Sequence, residues 1–149
     1  MSTITLIRHG QANSTAKDEV SYDKLSDLGH EQAQWLGDHL RDTSAHHTRL
    51  YTGTLRRHVE TAEGMATDLE PIRDARLNEL EYFTLGNLMA EQHGIPFPTE
   101  QAGFIEHLPA VFQRWKDNEL AGAPETYAQF QTRISDVLME ISAGTGPAL

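Results

Sequence analysis

An arginine and a histidine stand side by side near the start of the chain, in residues 6–11, which read Leu-Ile-Arg-His-Gly-Gln. The residues before them, Thr3-Ile4-Thr5, favour extended structure, and the glycine lets the backbone turn sharply after the histidine. We therefore predict that His9 lies at the carboxyl end of a strand, where the ligands of open α/β sheets collect. A neutral imidazole can attack phosphorus, and the planar guanidinium of Arg8 can bind phosphate oxygens. The pair suits phosphoryl chemistry, although so short a match also fits a histidine that caps a strand end without a ligand.

Four further motif segments follow in order along the chain. Residues 25–33 read Leu-Ser-Asp-Leu-Gly-His-Glu-Gln-Ala, residues 52–62 read Thr-Gly-Thr-Leu-Arg-Arg-His-Val-Glu-Thr-Ala, residues 77–79 read Leu-Asn-Glu, and residues 124–127 read Pro-Glu-Thr-Tyr. Together with residues 6–11 they resemble the histidine phosphatase superfamily, also called phosphoglycerate mutase-like. An ordered set of matches is much more specific than any one of them. The resemblance covers almost the whole chain and implies a three-layer α/β/α fold with a mostly parallel central sheet.

The resemblance also implies a role for each matching side chain. His9 matches the nucleophile that becomes a phosphohistidine, and one of its ring nitrogens should bond a backbone carbonyl so that the other is free to attack. Arg8 and Arg57 match the arginines that bind phosphate. Glu79 matches the carboxylate that protonates the leaving oxygen and then activates water.

Residues next to these leave alternatives open. Gln11 and Asn13 follow the nucleophile and could bind a phosphate or substrate oxygen, but Asn13 equally fits a turn-stabilising role. Arg56 points about 100° away from Arg57 on a helix, toward solvent or the rim of a site. Glu81 would point the same way as Glu79 in a strand, so only the resemblance separates the two.

Departures from the family patterns narrow the expected activity. Phosphatases of the family often follow Leu-x-Glu with Gly-x-Trp-Glu-Gly, but Phe83 stands where the first glycine would fall. Mutases of the family carry Arg-His-Tyr-Gly where residues 80–83 read Leu-Glu-Tyr-Phe, and Glu-Ser where this chain has Gln11-Ala12. We therefore expect a phosphoric monoester hydrolase that works through a phosphohistidine on a small phosphorylated substrate. The alternatives are a phosphate-binding pseudoenzyme, a phosphoglycerate mutase, and a metal-dependent hydrolase built on His39, His46 and His47.

Composition limits the class of protein. The chain has 149 residues, a formal net charge of -10 and no cysteine. The length predicts one domain over residues 1–149 with a sizeable core. The acidic balance argues against nucleic-acid and anionic-membrane partners, since both require a positive surface. Because the sequence has neither a membrane-length apolar run nor a signal segment, we expect a cytoplasmic protein. We expect neither a cofactor nor a metal, and a homo-oligomer stays open.

The pattern of the chain predicts alternating strands and helices. Residues 2–7 read as a strand, residues 14–25 as a polar loop, and Ser26 as the N-cap of a helix that runs to about Arg41. A strand near residues 49–52, a helix near 55–69 and a strand at 72–77 come next. Residues 83–123 carry two short helical patterns and are expected to form a cap over the sheet, or a plain surface excursion. Apolar residues at helical spacing predict a final helix from Tyr127 to Ile141, which ends at Gly144.

The last three residues, Pro147-Ala148-Leu149, read as the first residues of another strand. In the resembling family this strand carries a second active-site histidine in a His-Gly pair. The 149 residues include neither the full strand nor that second histidine. We expect a longer natural polypeptide, with a strand from a partner as the alternative. A chain that stops at Leu149 should then be less stable, or more associated, than an extended one, because a strand edge would lack hydrogen-bond partners.

Overall fold

The computed structural model of the chain describes residues 2–149 and shows an α/β fold with six helices and a small parallel sheet. In chain order the elements are α1 (Glu19–Tyr22), α2 (Asp27–Asp42), β1 (Leu50–Thr52), α3 (Arg56–Met65), β2 (Pro71–Arg73), a 3₁₀ helix (Ala75–Leu77), α4 (Tyr82–His93), α5 (Gln101–Lys116) and α6 (Tyr127–Ala143). Among residues 2–149, no helix is both long enough and apolar enough to span a bilayer.

The chain divides into two compact units. The first consists of the chain up to Ala16, Val20–Asn78 and Arg133–Leu149, and the second of Lys17–Glu19 and Glu79–Thr132. That residues 1–149 form one domain, with residues 83–123 as its cap, stays a prediction.

The sheet of the first unit is parallel. β1 pairs with β2 so that Leu50 lies opposite Pro71 and Thr52 opposite Arg73. Ala148 makes isolated parallel bridges to both Ile4 and Arg49. The predicted strand over residues 2–7 is therefore wrong in length, because this segment pairs at a single bridge.

Helices α2 and α3 pack closely in the first unit. The side chain of Ser26 accepts a hydrogen bond from the N–H of Gly29 at 3.1 Å, which confirms the predicted N-cap of α2. α3 ends at Met65 rather than near residue 69, because the carbonyls of Met65 and Ala66 accept hydrogen bonds from Arg41 and Ala66 turns into the left-handed region, with φ 47°.

Two further predicted boundaries are wrong. The predicted strand at 72–77 becomes the short β2 and the 3₁₀ helix, because the side chain of Asp74 accepts the N–H of Arg76 at 2.8 Å and starts a turn. The predicted loop over residues 14–25 contains α1. β1 and α6 lie where the sequence placed them.

The second unit is built from α4 and α5, which are 12 and 16 residues long. They are longer than the two short helical patterns that the sequence indicated, and α5 continues through Pro109. A buried cluster holds this unit together, formed by Leu85, Met89, Val111, Trp115 and Leu120. Phe112 and Phe130, together with Tyr127, pack against it.

Candidate functional site

The turn after His9 packs against the first turn of α2 through two glycines. A Cβ on Gly10 would lie 2.4 Å from the carbonyl oxygen of Gly29, and a Cβ on Gly29 would lie 2.1 Å from that of Gln11. The same carbonyl of Gln11 accepts the N–H of Ser26 at 2.9 Å. Both motif glycines are thus needed for a close backbone approach, and this approach fixes the turn that carries His9.

The ring of His9 has a defined hydrogen bond. Its Nδ1 lies 2.6 Å from the carbonyl oxygen of Gly10. Because a carbonyl can only accept, Nδ1 carries the proton and Nε2 of the neutral ring carries the lone pair. The expected bond from one ring nitrogen to a backbone carbonyl is confirmed. Tyr22 meets the ring edge-on, with the ring centroids 6.3 Å apart.

An open cavity of about 410 Å³ lies beside this turn. Its lining residues are Arg8, His9, Gly10, Gln11, Ala12, Ser14, Tyr22 and Gln32. The volume falls within the usual range for small-molecule sites, about 300–1,000 Å³. The structure therefore brings Arg8, His9 and Gln11 together at one cavity.

Arg57 is placed differently from Arg8. It is only 2% exposed, and its Nη1 lies 3.2 Å from Oδ1 of Asp23. Its guanidinium carbon lies 4.9 Å from the centroid of the Tyr22 ring, a cation–π distance. Arg57 is not among the lining residues of the cavity, which its neighbour Tyr22 does line. Its role as a phosphate ligand stays a prediction.

Sequence reasoning missed Asp23. Besides the guanidinium of Arg57, its carboxylate accepts the backbone N–H groups of Arg56 at 2.9 Å and Arg57 at 3.0 Å. A carboxylate at this position satisfies the first N–H groups of α3 and opposes the positive end of the helix dipole. Only the position of Asp23 in a polar loop before the motif hinted at this role.

Arg56 faces away from Arg57, as the helical spacing predicted. Its side chain is 64% exposed and its Nε donates to Glu60 at 2.6 Å. The other oxygen of Glu60 accepts the N–H of Leu25 at 2.8 Å. Burial alone raises the pKa of Glu60, but the hydrogen bond from Leu25 and the ion pair with Arg56 outweigh it and lower the pKa.

The two polar residues after His9 differ in their contacts. Gln11 lines the cavity, and its Oε1 accepts a hydrogen bond from Ser26 at 2.7 Å. Asn13 does not line it: its Nδ2 donates to Ser21 and its Oδ1 accepts from Thr15. The contacts of Asn13 are those of the turn-stabilising alternative, and a contact of either residue with substrate stays a prediction.

Glu79 is half-buried and belongs to the second unit, in an irregular stretch before α4. In the first unit, Nη1 of Arg133 donates to the carbonyls of Arg76 and Asn78, both at 2.7 Å. This arginine of α6 therefore holds the segment that leads into Glu79. The acid/base role of Glu79 stays a prediction, as does its advantage over Glu81.

Sequence reasoning also missed His58, whose ring lies next to that of His9. The ring centroids of His9 and His58 are 5.9 Å apart.

The histidines that the sequence offered as metal ligands do not form a cluster. His39 and His46 are exposed, and His47 contacts the hydroxyl of Thr5. Among residues 2–149, no three or more carboxylate or imidazole side chains are grouped so that they could hold a metal ion.

Comparison with known proteins places this geometry in a family. A profile of the histidine phosphatase superfamily (branch 1) matches residues 4–148. A 2,3-bisphosphoglycerate-dependent phosphoglycerate mutase of Bartonella tribocorum is 35% identical over 98 residues, which make up 60% of this chain and 48% of that protein. A 6-phosphofructo-2-kinase/fructose-2,6-bisphosphatase of Gallus gallus is 27% identical over 139 residues, 93% of this chain and 27% of that protein. The chain thus spans less than half the length of either relative.

Solved structures share the fold. A mycobacterial glucosyl-3-phosphoglycerate phosphatase in complex with VO3 superposes with a TM-score of 0.58 at 21% identity, over 95% of this chain and 71% of that one. An alpha-ribazole phosphatase from Shigella flexneri gives a TM-score of 0.59 at 20% identity, over 97% and 71% of the two chains. At these identities the likeness concerns the fold alone.

Proposed function

The chain belongs to the histidine phosphatase superfamily, as its ordered motifs predicted, and we propose that it hydrolyses the phosphoric monoester of a small substrate through a phosphohistidine intermediate. One observation carries the proposal. The Nδ1 proton of His9 is bound to the carbonyl of Gly10, and the ring lines a cavity together with Arg8. With the proton on Nδ1, the nucleophilic lone pair of the neutral ring is on Nε2, and Arg8 brings a cation to the same cavity.

The proposed reaction has two displacements at phosphorus. In the first, the Nε2 lone pair of His9 bonds to phosphorus, the P–O bond of the ester breaks, and the carboxyl group of Glu79 protonates the leaving oxygen. In the second, the Glu79 carboxylate takes a proton from water while the water oxygen attacks phosphorus. The P–N bond then breaks, its electron pair returns to Nε2, and inorganic phosphate leaves.

Arginine supplies the charge that phosphate needs in an acidic protein. The formal net charge of the chain is -10, so a phosphate site requires local positive charge. Arg8 is exposed and lines the cavity, where its planar guanidinium can bind two phosphate oxygens at once. Arg57 lies behind Tyr22 and is partly balanced by Asp23, so we expect it to orient the site and to bind phosphate only if the substrate draws it away from Asp23.

The hydrolase is preferred to the mutase although one relative is a mutase. The chain departs from the mutase pattern in two segments, residues 80–83 and Gln11-Ala12. Among residues 2–149, no group of side chains supports a metal-dependent hydrolase. Capture of the phosphohistidine during turnover distinguishes the hydrolase from the pseudoenzyme.

The test is the capture of the intermediate. During turnover of a chromogenic or radiolabelled phosphoester, the protein should carry an acid-labile, base-stable phosphate on His9. The His9→Ala variant should lose both the adduct and hydrolysis, and Arg8→Ala should lose about 10²- to 10³-fold in kcat, the usual scale for one charge-stabilising donor. His39→Ala, which changes an exposed histidine, is the matched control. Phosphate binding without any turnover would establish the pseudoenzyme, and undiminished hydrolysis by His9→Ala would refute the nucleophile.

A further inference from the structure

His58 lies on α3 directly after Arg57, and its imidazole meets that of His9. The two ring centroids are 5.9 Å apart and the ring planes are inclined by 33°. This geometry is that of offset aromatic rings in contact, which restricts the rotation of both. The half-buried ring of His9 is therefore bounded by Tyr22 at its edge and by His58.

The ring of His58 is also packed closely against Gly53. A Cβ on Gly53 would lie 2.2 Å from Nδ1 of His58, so the imidazole occupies the space that a side chain at Gly53 would fill. The neighbouring residue Thr54 is held in place by Asn78, whose Oδ1 accepts the N–H of Thr54 at 2.7 Å and whose Nδ2 donates to its hydroxyl at 2.8 Å. Because this turn is anchored, the ring of His58 has no room to move toward Gly53.

We propose that His58 is a positioning residue, which holds the imidazole of His9 in the orientation that directs Nε2 at the phosphorus of the substrate. The hydrogen bond from Nδ1 to Gly10 fixes one point of the His9 ring, and contact with His58 restricts rotation about that point. The consequence for turnover rests on the proposed function, whereas the ordering of the His9 ring does not.

The direct test observes the ring of His9. In ¹⁵N-histidine-labelled protein, long-range ¹H–¹⁵N spectra distinguish the protonated from the unprotonated ring nitrogen, and the His9→Ala variant assigns the His9 signals. In the unchanged chain His9 should show one sharp pattern with the proton on Nδ1. In His58→Ala this pattern should broaden or become a mixture of the two tautomers. His58→Gln, which keeps a planar group, should restore it in part, and His39→Ala should leave it unchanged.

A kinetic test follows from the same geometry. A misplacement of about 1 Å can cost about 10²-fold in rate, so His58→Ala should lower kcat by about that factor. KM should change little, because His58 is not among the residues that line the cavity. A merely structural role would instead lower the amount of folded protein and leave the kcat of the folded fraction unchanged.

Gly53→Ala tests the same contact without changing His58. Its new methyl group would displace the ring of His58, so the spectrum of His9 should change as it does in His58→Ala. The double variant should give the same His9 spectrum as His58→Ala alone, because the new methyl group then has no imidazole to displace. If folded His58→Ala and Gly53→Ala both keep the His9 pattern of the unchanged chain, the proposal is overturned. If the unchanged chain hydrolyses no phosphoester, the proposed function fails, and the His9 spectra still decide the positioning role.

Discussion

Two acidic side chains from one short stretch of the chain each bind the first turn of a helix, one in each compact unit. In the first unit, Asp23 accepts the leading N–H groups of α3 at 2.9 and 3.0 Å. In the second unit, Glu19 accepts those of α4 from Phe83 and Thr84 at 2.7 and 3.4 Å. Asp23 differs in one respect, because it also pairs with the guanidinium of Arg57, which is 2% exposed.

The buried polar groups of the two units also differ. The buried Thr61 and Arg57 of the first unit have hydrogen-bond partners there, since Thr61 donates to the carbonyl of Arg57 and Arg57 donates to Asp23; two buried atoms of less buried residues, Nε of Arg49 and Oγ1 of Thr67, have none. The second unit buries His107 among aromatic rings, with Nδ1 2.6 Å from the hydroxyl of Tyr82 and Nε2 without a hydrogen-bond partner. The first interior therefore depends on keeping a charge paired, and the second on keeping a titratable ring neutral.

The largest effect should come from removing the acid of the first unit. Asp23→Ala leaves the guanidinium of Arg57 buried without its carboxylate, which we expect to cost about 3 kcal/mol of unfolding free energy. Glu19→Ala removes a helix cap without stranding a buried cation and should cost about 1 kcal/mol. Urea denaturation of both variants measures the difference. Equal losses would show that the pairing of Arg57 adds nothing beyond capping.

A second contrast uses one glycine in each unit. A Cβ on Gly37 would lie 2.0 Å from the carbonyl oxygen of Met65, which is backbone and cannot move aside. A Cβ on Gly86 would lie 2.3 Å from the end of the Phe97 side chain, which can rotate. We expect Gly37→Ala to cost about 2–3 kcal/mol and Gly86→Ala about 1 kcal/mol. Thermal or urea unfolding tests the order, and a larger loss for Gly86→Ala would contradict the rigidity assigned to the α2–α3 contact.

The smallest effect is a difference in acid sensitivity. Burial lowers the pKa of His107 below its ordinary value of 6.5 and raises the pKa of Tyr82 to about 12. Below pH 6.5 the unfolded chain binds a proton at His107 that the folded chain does not, so folding stability falls as the pH drops toward the lowered pKa. We expect hydrogen-exchange protection of α4 and α5 to decrease in this range.

The first unit should respond at lower pH. Glu60 also has a lowered pKa, from an ordinary 4.5, so its contribution is complete above pH 4.5 and is lost as the pH falls below that value. The protection of α2 and α3 should therefore outlast that of α4 and α5 on acidification. His107→Phe should abolish the early loss in the second unit. If the loss persists in that variant, another group is responsible.

Local patterns were enough to predict several parts of the fold. The N-cap at Ser26, the short strand before Gly53 and the apolar stripe of α6 each depend on neighbouring residues, and the structure places all three where the sequence did. The end of α3 was missed, because the carbonyls there are bound by Arg41, a residue distant in sequence. Local signals fail where a remote side chain supplies the cap.

The candidate site likewise combines features that the local sequence predicts with features that depend on distant residues. The sequence by itself determined which residues could do chemistry, since the run Arg8-His9-Gly10 and the helical spacing of Arg56 and Arg57 fix residue types and directions along one segment. Only the tertiary structure decided that Gly10 meets Gly29, that Asp23 pairs with Arg57 and that His58 reaches the ring of His9. The physical reason is range: propensity and periodicity act over a turn or two of chain, whereas these contacts depend on how closely separate backbone segments approach.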